Sequence, residues 1–335
     1  MVDKYLSYIA SVRRFSPRTV EIYRDVLGHF CQFAREAGVE GEGAAFAQQA
    51  MPAGLIRSYE VQMLDNEHLS PRTVNQHLSV LSGWSRFLMH EGVLSSNPVS
   101  LVTRPKREKR LPVFYQDDDM EGYFSRTQYY ASQEAFDIMA SYGSDAPSSK
   151  VARELYEARL RRLIVSLLHA SAMRRSELIS LNIASFDASR QVMRVRGKGD
   201  KMREIPLISS VCEEISLYLQ SVETMVGGEM TAFTPLLQTL AGRRLYPVYV
   251  DRAVKGELGR DTDITSRKSP HVLRHTLATE LLNDGADLNS IKELLGHASL
   301  AATQVYTHNS IAKLKNVYNQ AHPRAKTGVD YGDKD

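Results

Sequence analysis

Ser269-Pro270-His271-Val272-Leu273-Arg274-His275, then Leu294-Leu295-Gly296-His297, then Tyr306-Thr307-His308, is the stretch on which the reading of this chain turns. Ser269-Pro270 has the form of a helix start, Gly285 of its end, Asp287 of a second cap, Gly296 of a second end, and Ser299 opens a further helix. His271 and Arg274 are three residues apart, which on a helix places both side chains on one face, able to reach a single anion together. His297 follows the next helix end, and Tyr306 arrives close enough in sequence to fold back toward the same point. Four polar groups, two imidazoles, a guanidinium and a phenol, are therefore expected to converge.

Working outward, Ala184 to Leu207 contains two short β-like runs, Val192 to Val195 and Met202 to Ile205, around the hairpin punctuation Gly197-Lys198-Gly199-Asp200. A small antiparallel sheet is predicted there. The rest of this half reads as helical, from Met120 to Tyr142 and from Val151 to Leu168, with a polar loop from Gly143 to Ser149 between them. At the other end of the chain one phrase occurs twice, Ser16-Pro17-Arg18-Thr19-Val20 and Ser70-Pro71-Arg72-Thr73-Val74. Serine caps a helix, and proline is tolerated at the first helical position, where its missing N–H costs nothing. Arg18 and Arg72 then fall in first turns, where a cation opposes the helix dipole unless an anion such as a phosphate lies beside it. Val20, Tyr23, Leu27, Phe30 and Ala34 form one apolar stripe, and Leu78, Leu81, Trp84, Phe87 and Leu88 another. With further helices around Tyr5 to Ile9 and Leu55 to Leu64, the chain up to about Val102 reads as a bundle of four or five helices, closed by Gly92 and Pro98.

The length of 335 residues favours two cores over one. The predicted boundaries are an N-terminal domain over 1–103, a basic linker over 104–112 and a C-terminal domain over 113–335. The linker, Arg104-Pro105-Lys106-Arg107-Glu108-Lys109-Arg110, concentrates cations that the modest net charge of +3 conceals, since a DNA binder needs its charge where the phosphates lie. The most apolar stretch, Leu163 to Met173, falls short of the roughly 20 residues a membrane helix requires, and the N-terminus has no signal-peptide core. A cytoplasmic protein without membrane association is expected. Cys31 and Cys212 fit neither a disulfide framework nor a metal cluster and read as buried thiols. A Gly-rich phosphate loop ending in Gly-Lys-Ser/Thr and a carboxylate cluster suited to magnesium are both missing, so no cofactor is expected.

In order and spacing, the motifs of the opening stretch resemble the C-terminal signature of the tyrosine recombinases. Ser171-Ala172-Met173-Arg174-Arg175-Ser176-Glu177-Leu178 is similar to that family's first-arginine motif, although Ala172 stands where the family commonly has glycine. Gly197-Lys198-Gly199-Asp200-Lys201 is similar to its catalytic-lysine hairpin. The repeated Ser-Pro-Arg-Thr phrases, the basic linker and Ala321-His322-Pro323-Arg324 resemble the Xer subgroup. The resemblance implies a mainly α fold: a SAM-like helical-bundle domain that binds the DNA core, and a mainly helical catalytic domain with a small antiparallel sheet.

The implied chemistry is site-specific cleavage and rejoining of DNA strands through a 3′-phosphotyrosyl intermediate, with Tyr306 the nucleophile. Arg174 and Arg274 clamp the phosphate, His271 accepts the phenolic proton, His297 donates a hydrogen bond, and Lys198, or Lys201 in its place, protonates the leaving oxygen. Glu177 is read as a partner of Arg174. DNA contacts are assigned to Arg18, Arg72, Arg104, Lys106 and Arg107. The implied partners are double-stranded DNA, three further copies in a tetramer on two sites, and a paralogous recombinase or DNA translocase. The biological role is either chromosome-dimer resolution or mobile-element integration and excision. A helix over Ile311 to Ala321 either docks on a neighbouring protomer or packs on its own domain, and Tyr306 is delivered in cis or in trans. Two other functions stay open at this point: DNA relaxation like that of a type IB topoisomerase, and an idle DNA-binding architectural protein.

Overall fold

A computed structural model describes residues 1–106, 114–197, 201–259, 268–283, 287, 291, 294 and 295. The chain divides into two compact units, Met1–Arg110 and Leu111–Asp335.

Among its described residues the first unit holds five α-helices: α1 (Val2–Ser11), α2 (Pro17–Glu36), α3 (Gly43–Ala50), α4 (Ala53–Val61) and α5 (Pro71–His90). The repeated phrase starts α2 and α5 in the same way. Ser16 accepts from the Thr19 N–H and Ser70 from the Thr73 N–H, each at 3.2 Å, with proline in the first turn. Leu27, Phe30 and Ala34 of α2 and Leu78, Leu81, Trp84 and Leu88 of α5 are fully enclosed in one core with Ile56 and Met63. Tyr59 fastens three helices at once, because its hydroxyl lies 2.8 Å from both His29 Nδ1 on α2 and His77 Nδ1 on α5. Arg104 donates to the Asn75 carbonyl at 3.2 Å and to Ser79 Oγ at 2.9 Å, while Asn75 Nδ2 donates to the Pro105 carbonyl. The first two residues of the basic run are thus bound to α5.

The second unit is built around α8 (Lys150–Ser171), which packs against α7 (Gln133–Ala140), α10 (Ser209–Met225), α11 (Pro247–Gly259) and α12 (Pro270–Asn283). From Ala158 onward α8 is almost wholly buried, so that part of the helix must enclose its polar residues too. Arg162 does so by pairing with Glu214, donating to Thr127 Oγ1 and lying over the Phe124 ring. The single helix expected over Met120 to Tyr142 is instead α6 (Asp117–Thr127), a short 3₁₀ turn and α7. Ser132 explains the break, because its hydroxyl caps α7 by accepting from the Ala135 N–H and donates back to the Tyr129 carbonyl.

Next to α9 (Arg175–Ser180) lies an antiparallel sheet in the order β1 (Phe186–Asp187), β2 (Val192–Arg196), β3 (Met202–Pro206). Alternation sets its faces: Met193, Val195 and Ile205 point into the core, while Arg194 and Glu204 pair on the other side with Arg190 and Asp187. Neither cysteine is in a disulfide; Cys212 is buried and Cys31 half-buried. Among the described residues no helix is long and apolar enough to cross a membrane.

Candidate phosphate-binding active site

The site forms where α8 ends. Ala172 terminates that helix in the left-handed region, with φ of 48° and ψ of 23°, a conformation that costs a non-glycine residue about 1–2 kcal/mol. The turn sends the chain through Met173 to Arg174, the residue that precedes α9. Glu177, in the first turn of α9, accepts the Arg174 backbone N–H at 2.7 Å and Arg174 Nη1 at 2.8 Å. A carboxylate at that position satisfies an otherwise orphaned helix N–H and also suits the positive end of the dipole.

Arg274, on α12, is 8% exposed. It donates to the carbonyl of Ala172 and to that of Leu295, so its guanidinium is fixed between the end of α8 and the residues that precede Gly296-His297. The third cation was not assigned a role from sequence. Arg203, on the inner face of β3, is 7% exposed and grips both oxygens of Glu177, Nη1 to Oε1 at 3.0 Å and Nη2 to Oε2 at 2.8 Å. Its signal was parity: Arg203 shares a strand face with Ile205, where an apolar residue is the usual occupant.

Among the described residues this cluster sets three guanidiniums, Arg174, Arg203 and Arg274, against one carboxylate, Glu177. Burial, and then the charge of Arg174, pull the Arg274 guanidinium down to about 10, so it remains charged at neutral pH. Glu177 is held below the usual carboxylate range by its bonds to Arg203 and Arg174, which outweigh its burial. The cluster therefore carries excess positive charge that a phosphate would neutralise.

His271 lies one turn before Arg274 on an exposed part of α12. The surrounding protein mass, then Arg175, His275 and Arg274, all disfavour its charged form, while Asp251 opposes them; its pKa lies below the ordinary histidine value. At neutral pH the ring is an uncharged proton acceptor. Arg175 pairs with Asp251 beside it.

Arg18 is exposed and paired with Glu21, one turn along α2. Arg72 and Lys106 are exposed. Arg107, Lys198, His297 and Tyr306 lie outside the described residues, as do Gly285, Gly296 and the stretch from Ile311 to Ala321. Lys201 is described and exposed, its carbonyl accepting the Gly197 N–H at 2.8 Å across the hairpin.

Residues 149–313 match the Phage integrase family, and residues 2–92 match the Phage integrase N-terminal SAM-like domain. The Tn1549 transposon integrase in complex with circular intermediate DNA is 17% identical, with a TM-score of 0.62 over 93% of this chain and 97% of that one. A lambda integrase tetramer bound to a Holliday junction is 16% identical, with a TM-score of 0.57 over 91% of this chain and 79% of that one. The fold is thus that of the integrases. The tyrosine recombinase XerC of Chlorobaculum parvum is 34% identical over 328 residues, covering 97% of this chain and 94% of the relative. The chain accordingly belongs to the tyrosine recombinase family and is a Xer-like site-specific recombinase, an enzyme of DNA cleavage and rejoining.

Proposed function

We propose that this chain exchanges strands between two DNA sites through a 3′-phosphotyrosyl intermediate, with Tyr306 as nucleophile and Arg174 and Arg274 as the phosphate clamp. The observation that supports it is the cluster in which Arg174 and Arg203 share the Glu177 carboxylate beside the buried Arg274. Displacing an alcohol from a phosphodiester places charge on the non-bridging oxygens, so fixed cationic donors lower the barrier most. The Tyr306 oxygen forms the new bond to phosphorus and its proton passes to His271. The bond to the 5′-oxygen breaks, Lys198 supplies that oxygen with a proton, and His297 donates to the phosphate. A 5′-hydroxyl from the other site then reverses the step, because the tyrosyl ester keeps the energy of the broken bond.

DNA contact is assigned to Arg18, Arg72, Arg104, Lys106 and Arg107, with the 104–112 linker along the backbone and four protomers on two sites. We further assign the reaction to the cytoplasm, with a paralogous recombinase or a DNA translocase as partner. Incubation with duplex DNA nicked beside a candidate cleavage position tests the proposal, because the fragment beyond the nick diffuses away and traps the ester. A denaturant-resistant protein–DNA adduct is the expected result; strand nicking without any adduct would contradict it.

Two further outcomes follow from the charges. With six to ten phosphate contacts, DNA affinity should fall by about 10³- to 10⁵-fold between 50 and 200 mM salt; a flat response would remove the clamp. Because protonation of His271 blocks it as acceptor, adduct formation should be lost as pH falls through its lowered pKa, and be fully present above it. Arg175→Gln removes one of the charges that lower this pKa, so the acid limb should move to higher pH. A limb unmoved in that variant would show that another group titrates.

A further inference from the structure

We infer that Arg203 is a positioning residue for the reaction: it holds the Glu177 carboxylate so that Arg174 is offered to the phosphate and not drawn into the protein. This rests on the site reading above. An ionised carboxylate has about four acceptor directions, and here Arg174 N, Arg174 Nη1, Arg203 Nη1 and Arg203 Nη2 each bond to one of the two oxygens of Glu177. Arg174 meets that carboxylate through one guanidinium nitrogen, Nη1, and not through a two-nitrogen fork. Without Arg203, Glu177 would be a buried carboxylate with one cationic partner in place of two. Its remaining acceptor directions would pull Arg174 into the bidentate grip that such pairs favour, withdrawing donors from the phosphate.

Two more contacts show that Arg203 is seated and not merely buried. Its Nε donates to the Leu294 carbonyl at 3.3 Å, tying β3 to the neighbour of the residue that also holds Arg274. Gly197, in the hairpin, leaves the room it needs: a Cβ there would lie 3.3 Å from Arg203 Nη1 and 3.5 Å from the Lys201 carbonyl oxygen. One guanidinium thus links the lysine-bearing hairpin, the anchor of Arg174 and the backbone beside the anchor of Arg274.

The test is single-turnover adduct formation on nicked duplex DNA by Arg203→Lys, Arg203→Gln and Arg203→Met, each made in the natural chain and in Arg174→Ala. Lysine keeps the charge but lacks the planar fork, so even Arg203→Lys should slow the natural enzyme about 10- to 100-fold, the scale of a misplaced catalytic group. DNA affinity should change little. In the Arg174→Ala background the same substitution should cost less than about 3-fold, because the group it positions is already gone. Equal fold losses in the two backgrounds would overturn the inference, as would failure of all three variants to melt cooperatively, which would assign Arg203 to fold stability. If Arg174→Ala alone left the rate intact, the reading of the site would fail instead.

Discussion

Replacing Tyr306 by phenylalanine is expected to abolish the covalent adduct, with a loss on the order of 10⁴-fold or more, while DNA binding persists. Phenylalanine removes one oxygen and nothing else that packs, so the fold should be unaffected. The loss is complete in kind because the intermediate is an ester of that oxygen, and without it strand transfer has no covalent path. The readout is the denaturant-resistant band on nicked duplex, with gel mobility of the non-covalent complex as the control. An adduct that survives in Tyr306→Phe would move the nucleophile elsewhere.

The second large effect concerns the clamp. Arg174→Ala and Arg274→Ala should each reduce cleavage by roughly 100- to 1,000-fold, the usual cost of one donor aimed at developing charge. The two should differ in stability. Arg174 is part-exposed and leans on Glu177, whereas Arg274 is buried against the carbonyls of Ala172 and Leu295. Alanine at 274 strands both carbonyls, at about 1–3 kcal/mol for each buried group left unsatisfied, so this variant should also melt at lower temperature. Adduct rates paired with denaturant melts separate the two contributions. Parallel losses of DNA affinity and cleavage in both variants would show that the arginines bind DNA in general and do not stabilise the transition state.

Much of this was readable from sequence wherever the governing interaction is local. Ser16 and Ser70 cap their helices through residues three positions away, and Glu177 meets Arg174 at the same spacing. The hairpin was visible because strand alternation and a Gly-rich turn are short-range signals. Short α3 went unread: Gly43–Ala50 is mostly alanine and glutamine, with Phe46 its one large apolar side chain. The break at residues 128–131 was missed because a serine in mid-pattern caps a helix or rides on one, and tertiary packing decides which. Arg203 was missed for a related reason. Its partners, Glu177 and Leu294, lie 26 and 91 residues away, and only the strand parity hinted that a cation would be buried. The roles of Tyr306, His297 and Lys198 came from motif order alone, and all three residues lie outside the described part of the chain.

The central claim is that the guanidinium cluster holds a phosphorus atom for attack by one particular phenol. Proteolysis of the adduct trapped on nicked DNA, followed by mass spectrometry of the nucleotide-bearing peptide, tests it most directly. The account predicts a nucleotide attached through its 3′-phosphate to Tyr306. The same mass found on a serine, on Tyr318 or on any other side chain, or a linkage through a 5′-phosphate, would contradict it.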